Sequence, residues 1–537
     1  MDPIDAIVVG AGFGGIAATY ELKHAGFDVQ CYERESGPGG VWKENRYPGA
    51  RCDSGMPDYQ FSYTSTLEDF TWSSKFPDRQ EILRYFNHSI ERLDLINDVI
   101  FNSTLVKAIW DDVACQWTLS FEGKKDVTCK WFIPAFGYAS KSYMPKYQGI
   151  ATFHGALFHT AQWPDDIDPV NKRVAIIGTG ASGVQVVQTI ASKTKQLTVY
   201  QKSPNTALPM PSLSWPVDEQ KIVNNTAEIR TGFSVRHSNN QFGAFPGLPA
   251  PRLFYDDTPS EREMFYAEMW KAGFGFWLLN YKETLLEDEP NREAYEYWAK
   301  RTRTRVEDPV KRDILAPLTP RYPFGSKRPS LELTYYEAFN SPHVDIVDIS
   351  KDPIVEIIET GIVTKNVTTD FDIIVFATGF DAFTGGLTSI DIVGRNGKLL
   401  RDYWADGVLS HLGIACHGFP NMLYIYGPQS PGPLCSGPTC CQPQAKWIAT
   451  MLTDMRRIKA LAFEATPEVE RTWKRRLVED WQSKVFSKAN SYYQGANIPG
   501  KVIEPLMWAC GVDKYFEALE KCRARNWEGF QISLESS

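Results

Sequence analysis

The chain has 537 residues, enough for two to four domains of ordinary size. Its formal net charge of −8 excludes the basic surface that nonspecific nucleic-acid binding requires. No apolar run reaches the ~18 residues of a membrane span, and with 43% apolar and 23% charged residues the composition is that of a soluble globular protein.

Compartment follows from the same reading. The first strand begins at about Ile4, which leaves no room for a signal peptide. The ten cysteines show no zinc-type CxxC pair. Cys435 and Cys440 have the CxxxxC spacing of some flavin disulfide reductases but stand too late in the chain. The expectation is a cytoplasmic protein with structural thiols and no metal site.

The first predicted element is a short apolar strand, IDAIVV, running into a glycine-rich loop and a helix. Gly10 permits the tight turn, Gly12 lets a pyrophosphate approach the backbone, and Gly15 lets helix and strand pack closely, with Phe13 inside the loop. The helix N-terminus adds N–H donors and a positive dipole end. A second strand, FDVQCYE, ends in Glu33, an acid suited to a ribose 2′-OH. Strand, loop, helix, strand and acid in that order form a strong dinucleotide signal. The stretch GGVWKENRYPGARCD follows, Gly39 to Asp53.

A buried-strand run, CKWFIPAFG, closes this unit. Then comes FHGALFHTAQWP, Phe153 to Pro164, which is neither alternating nor helical and sets aromatic residues between two nucleotide-binding units. The second unit, KRVAIIGTGASG, places Gly178, Gly180 and Gly183 in the same pattern. Its second strand, LTVYQKS, has Gln201 where the first unit has Glu33, followed by Lys202 and Ser203. An acid there would repel a 2′-phosphate; a lysine and a hydroxyl attract one. The first loop therefore reads as FAD or NAD, and the second as NADP.

The segment 205–310 is rich in aromatic residues, among them Phe233, Phe242, Phe245, Phe274, Phe276 and Trp277. Its later part has helical spacing and predicts a helical subdomain in which core packing is the better reading of those rings. Arg301, Arg303 and Arg305 are expected on a solvated helix face. YPFGSKRP carries Lys327 and Arg328. FDIIVFATGFD, Phe371 to Asp381, is similar to the ATG motif of two-dinucleotide flavoproteins. The stretch GPQSPGPLCSGPTCCQPQ, Gly427 to Gln444, holds five prolines, which argue against an early helix start. The predicted fold is α/β: two Rossmann-like dinucleotide-binding domains with a helical subdomain. A discontinuous FAD-binding domain takes 1–150 and 371–537, an inserted NADP-binding domain 151–210 and 311–370, and the helical subdomain 211–310.

On these motifs the chain resembles the class B flavoprotein monooxygenases, and within them the type I Baeyer–Villiger monooxygenases. Phe153, Gly155, His159, Trp163 and Pro164 match every fixed place of the family fingerprint. GGVWKENRYPGARCD, YPFGSKRP and GANIPGK, Gly495 to Lys501, match further. The resemblance implies that NADPH reduces FAD, that reduced flavin adds O2 as a C4a-peroxyflavin, and that this attacks a ketone to give an ester or lactone. It implies Arg328 as the catalytic cation and Asp53 as its partner. Gly40, Trp42, Tyr59 and Val106 are expected around FAD. Thr179, Ser182, Gln185, Lys202, Ser203, Lys327, Arg328 and Tyr492 are expected around NADP. His159 and Trp163 are expected in an interdomain linker, with His159 acting on domain motion and Trp163 as an apolar anchor.

Two departures bear on the substrate. Tyr492 stands where the family usually has a tryptophan. Leu434 and Gly437 are expected on the substrate side, and the small Gly437 suggests a bulky or polycyclic substrate. The expected partners are a ketone and O2, with no nucleic acid and no membrane, and the expected assembly is a monomer or homodimer. Two alternatives stay open: oxidation of a nitrogen or sulfur atom, or hydroxylation or epoxidation of carbon, with the same cofactors; and a redox-weakened flavoprotein serving as a binding module.

Overall fold

Burial on both faces demands strands that are apolar throughout, and the strand Ile4–Val9, whose last four residues are all buried, meets that demand. In the computed structural model, which describes residues 4–226, 229 and 252–535, this strand lies inside a seven-stranded sheet. It runs parallel to Val29–Tyr32 on one side and Val127–Pro134 on the other, with Ala6 opposite both Val29 and Trp131. The sheet continues as an antiparallel meander through Gln116–Phe121 and Leu105–Asp111, and ends on Asp391–Val393.

The helix Phe13–His24 packs along the late helix Gly437–Arg457, so residues more than 400 apart complete one unit. That late helix starts at Gly437, earlier than its prolines suggest. Pro438 sits in the first turn, where an N–H has no intrahelical partner to lose. Pro443 is accommodated within the helix.

The second sheet is five-stranded and entirely parallel, in the order Val344–Asp348, Gln196–Gln201, Arg173–Ile177, Ile373–Phe376, Ala156–His159. This corrects two expectations. Ile373–Phe376 pairs with Arg173–Ile177 and Ala156–His159, so the chain returns to the first unit after Phe376 and not at 371. The apolar run shows that the strand is buried but carries no mark of which sheet buries it. The fingerprint segment is likewise no free linker: Ala156–His159 is the edge strand of the second sheet, with His159 opposite Phe376.

The described part of the helical insertion includes the helices Val217–Asn224, Pro259–Lys271 and Asp288–Arg303. Thr258 and Glu261 form a reciprocal capping box at the start of the second. Trp298 anchors the third by donating Nε1–H to the Ala207 carbonyl at 2.9 Å. The rings of Phe274, Phe276 and Trp277 are buried in the core; Phe233, Phe242 and Phe245 lie outside the described residues. The basic cluster is not simply solvated: Arg305 pairs with Glu332 and Glu337, and Arg303 with Asp313. Among the described residues no helix is long and apolar enough to cross a membrane.

Candidate active site

The loops at the carboxyl ends of both sheets face one another across a cavity of about 1240 Å³. Such crevices, outside the ends of parallel strands, are where open α/β sheets bind ligands.

On the first side, Gly10 has φ +108°, and a Cβ there would stand 2.7 Å from the Ala135 carbonyl oxygen. A Cβ on Gly15 would lie 1.6 Å from the Gly10 oxygen. Gly15 therefore acts behind the cavity wall, by letting the helix close on the loop. Gly12 and Gly40 face each other on the wall, leaving backbone accessible at the helix start. Phe13 is buried and meets Tyr59 and Phe61 edge-on at 5.2 and 5.1 Å. Trp42 donates Nε1–H to the Tyr59 hydroxyl at 2.9 Å, and both rings line the cavity, as does the half-exposed Val106. Glu33 accepts from the Ala11 N–H at 2.6 Å and from the Glu35 N–H at 2.9 Å. Burial pushes its pKa up, and those two N–H groups oppose the push.

On the second side, Gly178 has φ +112° and Gly183 would clash with the Gly178 oxygen if it bore a Cβ, whereas Gly180 opens onto free space. Thr179 donates its hydroxyl to the Ser203 carbonyl at 2.9 Å, tying the loop to the end of the second strand. Lys327 lies over the Tyr322 ring at 4.7 Å and donates to the Ser203 hydroxyl at 3.4 Å. Burial, and then the like charge of Lys202, push the Lys327 pKa down. Two lysines that repel each other at one end of a cavity form a site suited to an anion. Ser182 also lines the wall.

Gln185 lines the cavity beside Ser182 and is also engaged elsewhere. It is buried, and its amide is engaged by the other unit. It donates to the Arg51 carbonyl at 2.9 Å and accepts from the Tyr47 hydroxyl at 3.0 Å and the Arg51 N–H at 3.4 Å. Its polar atoms clasp the two units together at the cavity wall.

Two residues beyond Arg51 stands Asp53, and across the cavity stands Arg328. They form a bidentate pair: one guanidinium N–H bonds at 2.6 Å and the other at 2.7 Å. The pair is half-buried, at 17% and 16% exposure. Burial alone would push the Arg328 pKa down, but the Asp53 carboxylate more than reverses this and holds it well above the ordinary value. The guanidinium also covers the face of Phe274 at 4.8 Å, which gives that ring of the helical insertion a second task. Tyr492 and Tyr138 are close enough to add to its field, and burial raises the pKa of both phenols.

The remaining residues divide. Gly437 lines the cavity with only the Tyr59 ring edge nearby, at 4.0 Å. Leu434 does not line it: its side chain is buried in the core, while its neighbours Pro433 and Cys435 reach the wall. Trp163 packs edge-on against Phe158 at 4.9 Å in the core. His159 is fully buried; its Nδ1 accepts from the Ala161 N–H at 3.1 Å and its ring meets Phe380 edge-on. Burial drives its pKa down to about 4, which keeps the imidazole neutral. Tyr47, Tyr138 and Asn205 were missed. Asn205 bridges the Thr179 carbonyl and the Ser330 hydroxyl. No sequence motif marked it, whereas Tyr47 lay inside the quoted RYPG stretch. None of the ten cysteines is joined in a disulfide, and no cluster of His, Cys, Asp or Glu among the described residues is arranged to hold a metal ion.

The fold and cavity define a flavoprotein that works with two dinucleotides, FAD and NADP. A family model described as an NAD(P)-binding Rossmann-like domain matches residues 8–70. The chain is 39% identical to the FAD-binding monooxygenase VdtE of Byssochlamys spectabilis, covering 99% of this chain and 94% of that one. It is 37% identical to cyclopentanone 1,2-monooxygenase of a Comamonas strain, covering 99% and 96%. It is 32% identical to a Baeyer–Villiger monooxygenase of Pseudooceanicola batsensis, covering 97% and 95%. The crystal structure of OTEMO in complex with FAD and NADP superposes with a TM-score of 0.93 at 33% identity, covering 99% and 100%. The chain belongs to the Baeyer–Villiger monooxygenases: it is an NADPH-dependent FAD monooxygenase.

Proposed function

We propose that the chain inserts one oxygen atom from O2 beside the carbonyl of a ketone, giving an ester or lactone. The unit built on the first sheet holds FAD, through Gly10, Gly12, Phe13, Gly40, Trp42, Tyr59 and Val106 at the wall, with Gly15 and Glu33 shaping the loop. The unit built on the second holds NADPH. The residues fit these groups: each side offers a helix N-terminus bare of side chains, and the second adds two repelling lysines that a 2′-phosphate would neutralise. Bound and reduced by NADPH, the flavin supplies the oxygen-activating and oxygen-transferring chemistry.

The observation that carries the reading is the Arg328–Asp53 pair at the junction. Arg328 keeps its charge throughout, because a guanidinium does not deprotonate in a protein. Asp53 fixes its plane with two parallel bonds, and Phe274 backs its face. A cation so held stabilises an anionic oxygen nucleophile at ~4 Å by about 4 kcal/mol at an effective dielectric near 20, less the cost of desolvation. Tyr138 and Tyr492 stay protonated beside it and can donate hydrogen bonds there. The relative that acts on cyclopentanone supports a ketone substrate, and the open space at Gly437 supports a bulky one.

The test is Arg328→Ala. The variant is expected to retain FAD and NADPH oxidation while losing ester formation from cyclic, linear and polycyclic ketones, followed by mass as one added oxygen. Normal ester yield from that variant removes the assignment. A wild-type enzyme that oxygenates thioethers and no ketone replaces the substrate class.

A further inference from the structure

The CxxxxC spacing noted in the sequence has a structural meaning unrelated to the monooxygenase reaction. The helix Gly437–Arg457 has Ser436 as its N-cap. Cys435 is therefore the residue before the cap, and Cys440 is the fourth residue of the helix. Those are the two positions whose side chains pack against each other across a helix start, normally as a hydrophobic staple. Here both members of the staple are thiols, and Cys435 is near enough to act on the Cys440 thiol. The Cys435 thiol also contacts the Thr439 hydroxyl at 3.5 Å.

The surroundings hold the pair in register. The Cys435 carbonyl accepts from the Tyr426 hydroxyl at 2.8 Å, and the Ser436 hydroxyl donates to the Asp58 carbonyl at 2.7 Å. Both thiols are buried from bulk water, at 2% and 0% exposure. Only one of them has a route outward: Cys435 lines the large cavity, and Cys440 does not. Cys441 also reaches the wall, but it is one residue round the helix and does not share the staple.

We propose that Cys435 and Cys440 form a peroxide-reactive site, in which a hydroperoxide reaching the cavity converts the two thiols to a disulfide. Cys435 reacts first. Its sulfur attacks the nearer peroxide oxygen, an S–O bond forms, the O–O bond breaks and one water leaves, carrying the thiol proton. The Cys440 sulfur then attacks the Cys435 sulfur. An S–S bond forms, the S–O bond breaks, and the released hydroxide takes the Cys440 proton as a second water. The two thiols lose two electrons and the hydroperoxide gains them. Hydrogen peroxide, the two-electron product of O2, is the oxidant of this class. Burial holds Cys440 in the neutral thiol form, so it acts only in the second step, giving its proton to the hydroxide released from Cys435.

The experiment uses FAD-loaded enzyme exposed to hydrogen peroxide, then unfolded, alkylated and mapped by fragment mass spectrometry. The expected result is a two-hydrogen mass loss assigned to a 435–440 bridge, reversed by dithiothreitol. In Cys440→Ala, Cys435 is expected instead as a dimedone-trapped sulfenic acid. In Cys435→Ala, Cys440 is expected to remain alkylatable. Full alkylation of both cysteines after peroxide overturns the proposal. So does a bridge mapped to Cys441, or Cys435 driven to sulfinic acid while Cys440 stays free.

Discussion

Gln185 closes its side-chain amide on both backbone polar groups of Arg51, reaching from one dinucleotide unit into the other. The contact is tight around it: a Cβ on Gly49, φ +82°, would stand 2.1 Å from the Thr189 hydroxyl and 2.8 Å from the Gln185 carbonyl. Asp53 follows two residues after Arg51, so this clasp sets where the Arg328 partner sits. Gln185→Leu keeps the volume and leaves the Arg51 groups and the Tyr47 hydroxyl without their partner. Each buried bond left unmade costs about 1–3 kcal/mol. The variant is expected to keep its FAD but to convert less NADPH into product, with the remainder appearing as hydrogen peroxide. Weaker NADPH binding with unchanged coupling would instead make Gln185 a direct cofactor contact.

The two glycine-rich loops contain glycines of different kinds. Gly15 has no room for a methyl group, since its Cβ would overlap the Gly10 oxygen; Gly180 has nothing within 4 Å. Overpacking of this sort typically costs 1–3 kcal/mol or more. Gly15→Ala is expected to lower the melting temperature by several degrees and to yield protein with little flavin absorbance. Gly180→Ala is expected to fold normally with full flavin and to raise KM for NADPH, because its new methyl stands where the cofactor approaches. Equal flavin content in the two variants would contradict this division.

Lys202 and Lys327 meet at the end of the second strand, where the Lys327 pKa is lowered by burial and by its neighbour. Hydrogen bonds to charged groups contribute ~1.5–3 kcal/mol each. The double variant Lys202→Ala/Lys327→Ala is expected to lose at least tenfold of its preference for NADPH over NADH in kcat/KM, mostly through KM for NADPH. NADH kinetics are expected to change little. An unchanged ratio would place the 2′-phosphate elsewhere.

Local chemistry made much of this molecule legible. A glycine that must avoid the carbonyl five residues before it, as Gly15 and Gly183 do, leaves a pattern in the sequence, and so do the missing acid at Gln201 and the lysine after it. Gly15 and Gly183 close on the oxygens of Gly10 and Gly178, and Gly10, Gly178, Lys202 and Lys327 line the cavity. What the chain order hides is partnership across distance. Ile373–Phe376 reads as a buried strand, yet its sheet is decided by packing. Gln185 sits in the expected first turns of a nucleotide-binding helix, yet its amide finds a backbone 134 residues away. Phe274 reads as core and is core, but it also backs a cation 54 positions later. Leu434 turns inward because the prolines around it fix a short 3₁₀ turn, Gly432–Leu434, whose facing no periodicity encodes.

Outside the cavity lining, Glu470 supplies a test of stability. It is fully buried, accepts from the Tyr403 hydroxyl at 2.6 Å and from the His417 N–H at 2.7 Å, and has Lys398 and Arg471 in its field. Burial outweighs these and raises its pKa from an ordinary 4.5 to about 7. The folded protein therefore holds a proton that the unfolded chain releases at a lower pH. Where the folded state binds more protons, stability falls as pH rises. The contribution is complete below pH 4.5, declines between 4.5 and 7, and is flat above, for a total of about 3 kcal/mol. Glu470→Gln keeps the shape and cannot ionise. Between pH 5 and 7 the melting temperature of the wild type is expected to drop relative to that of the variant, and the two curves are expected to run parallel above pH 7.5. Curves parallel throughout would show that Glu470 is already ionised in the fold, held by Tyr403 and the His417 amide.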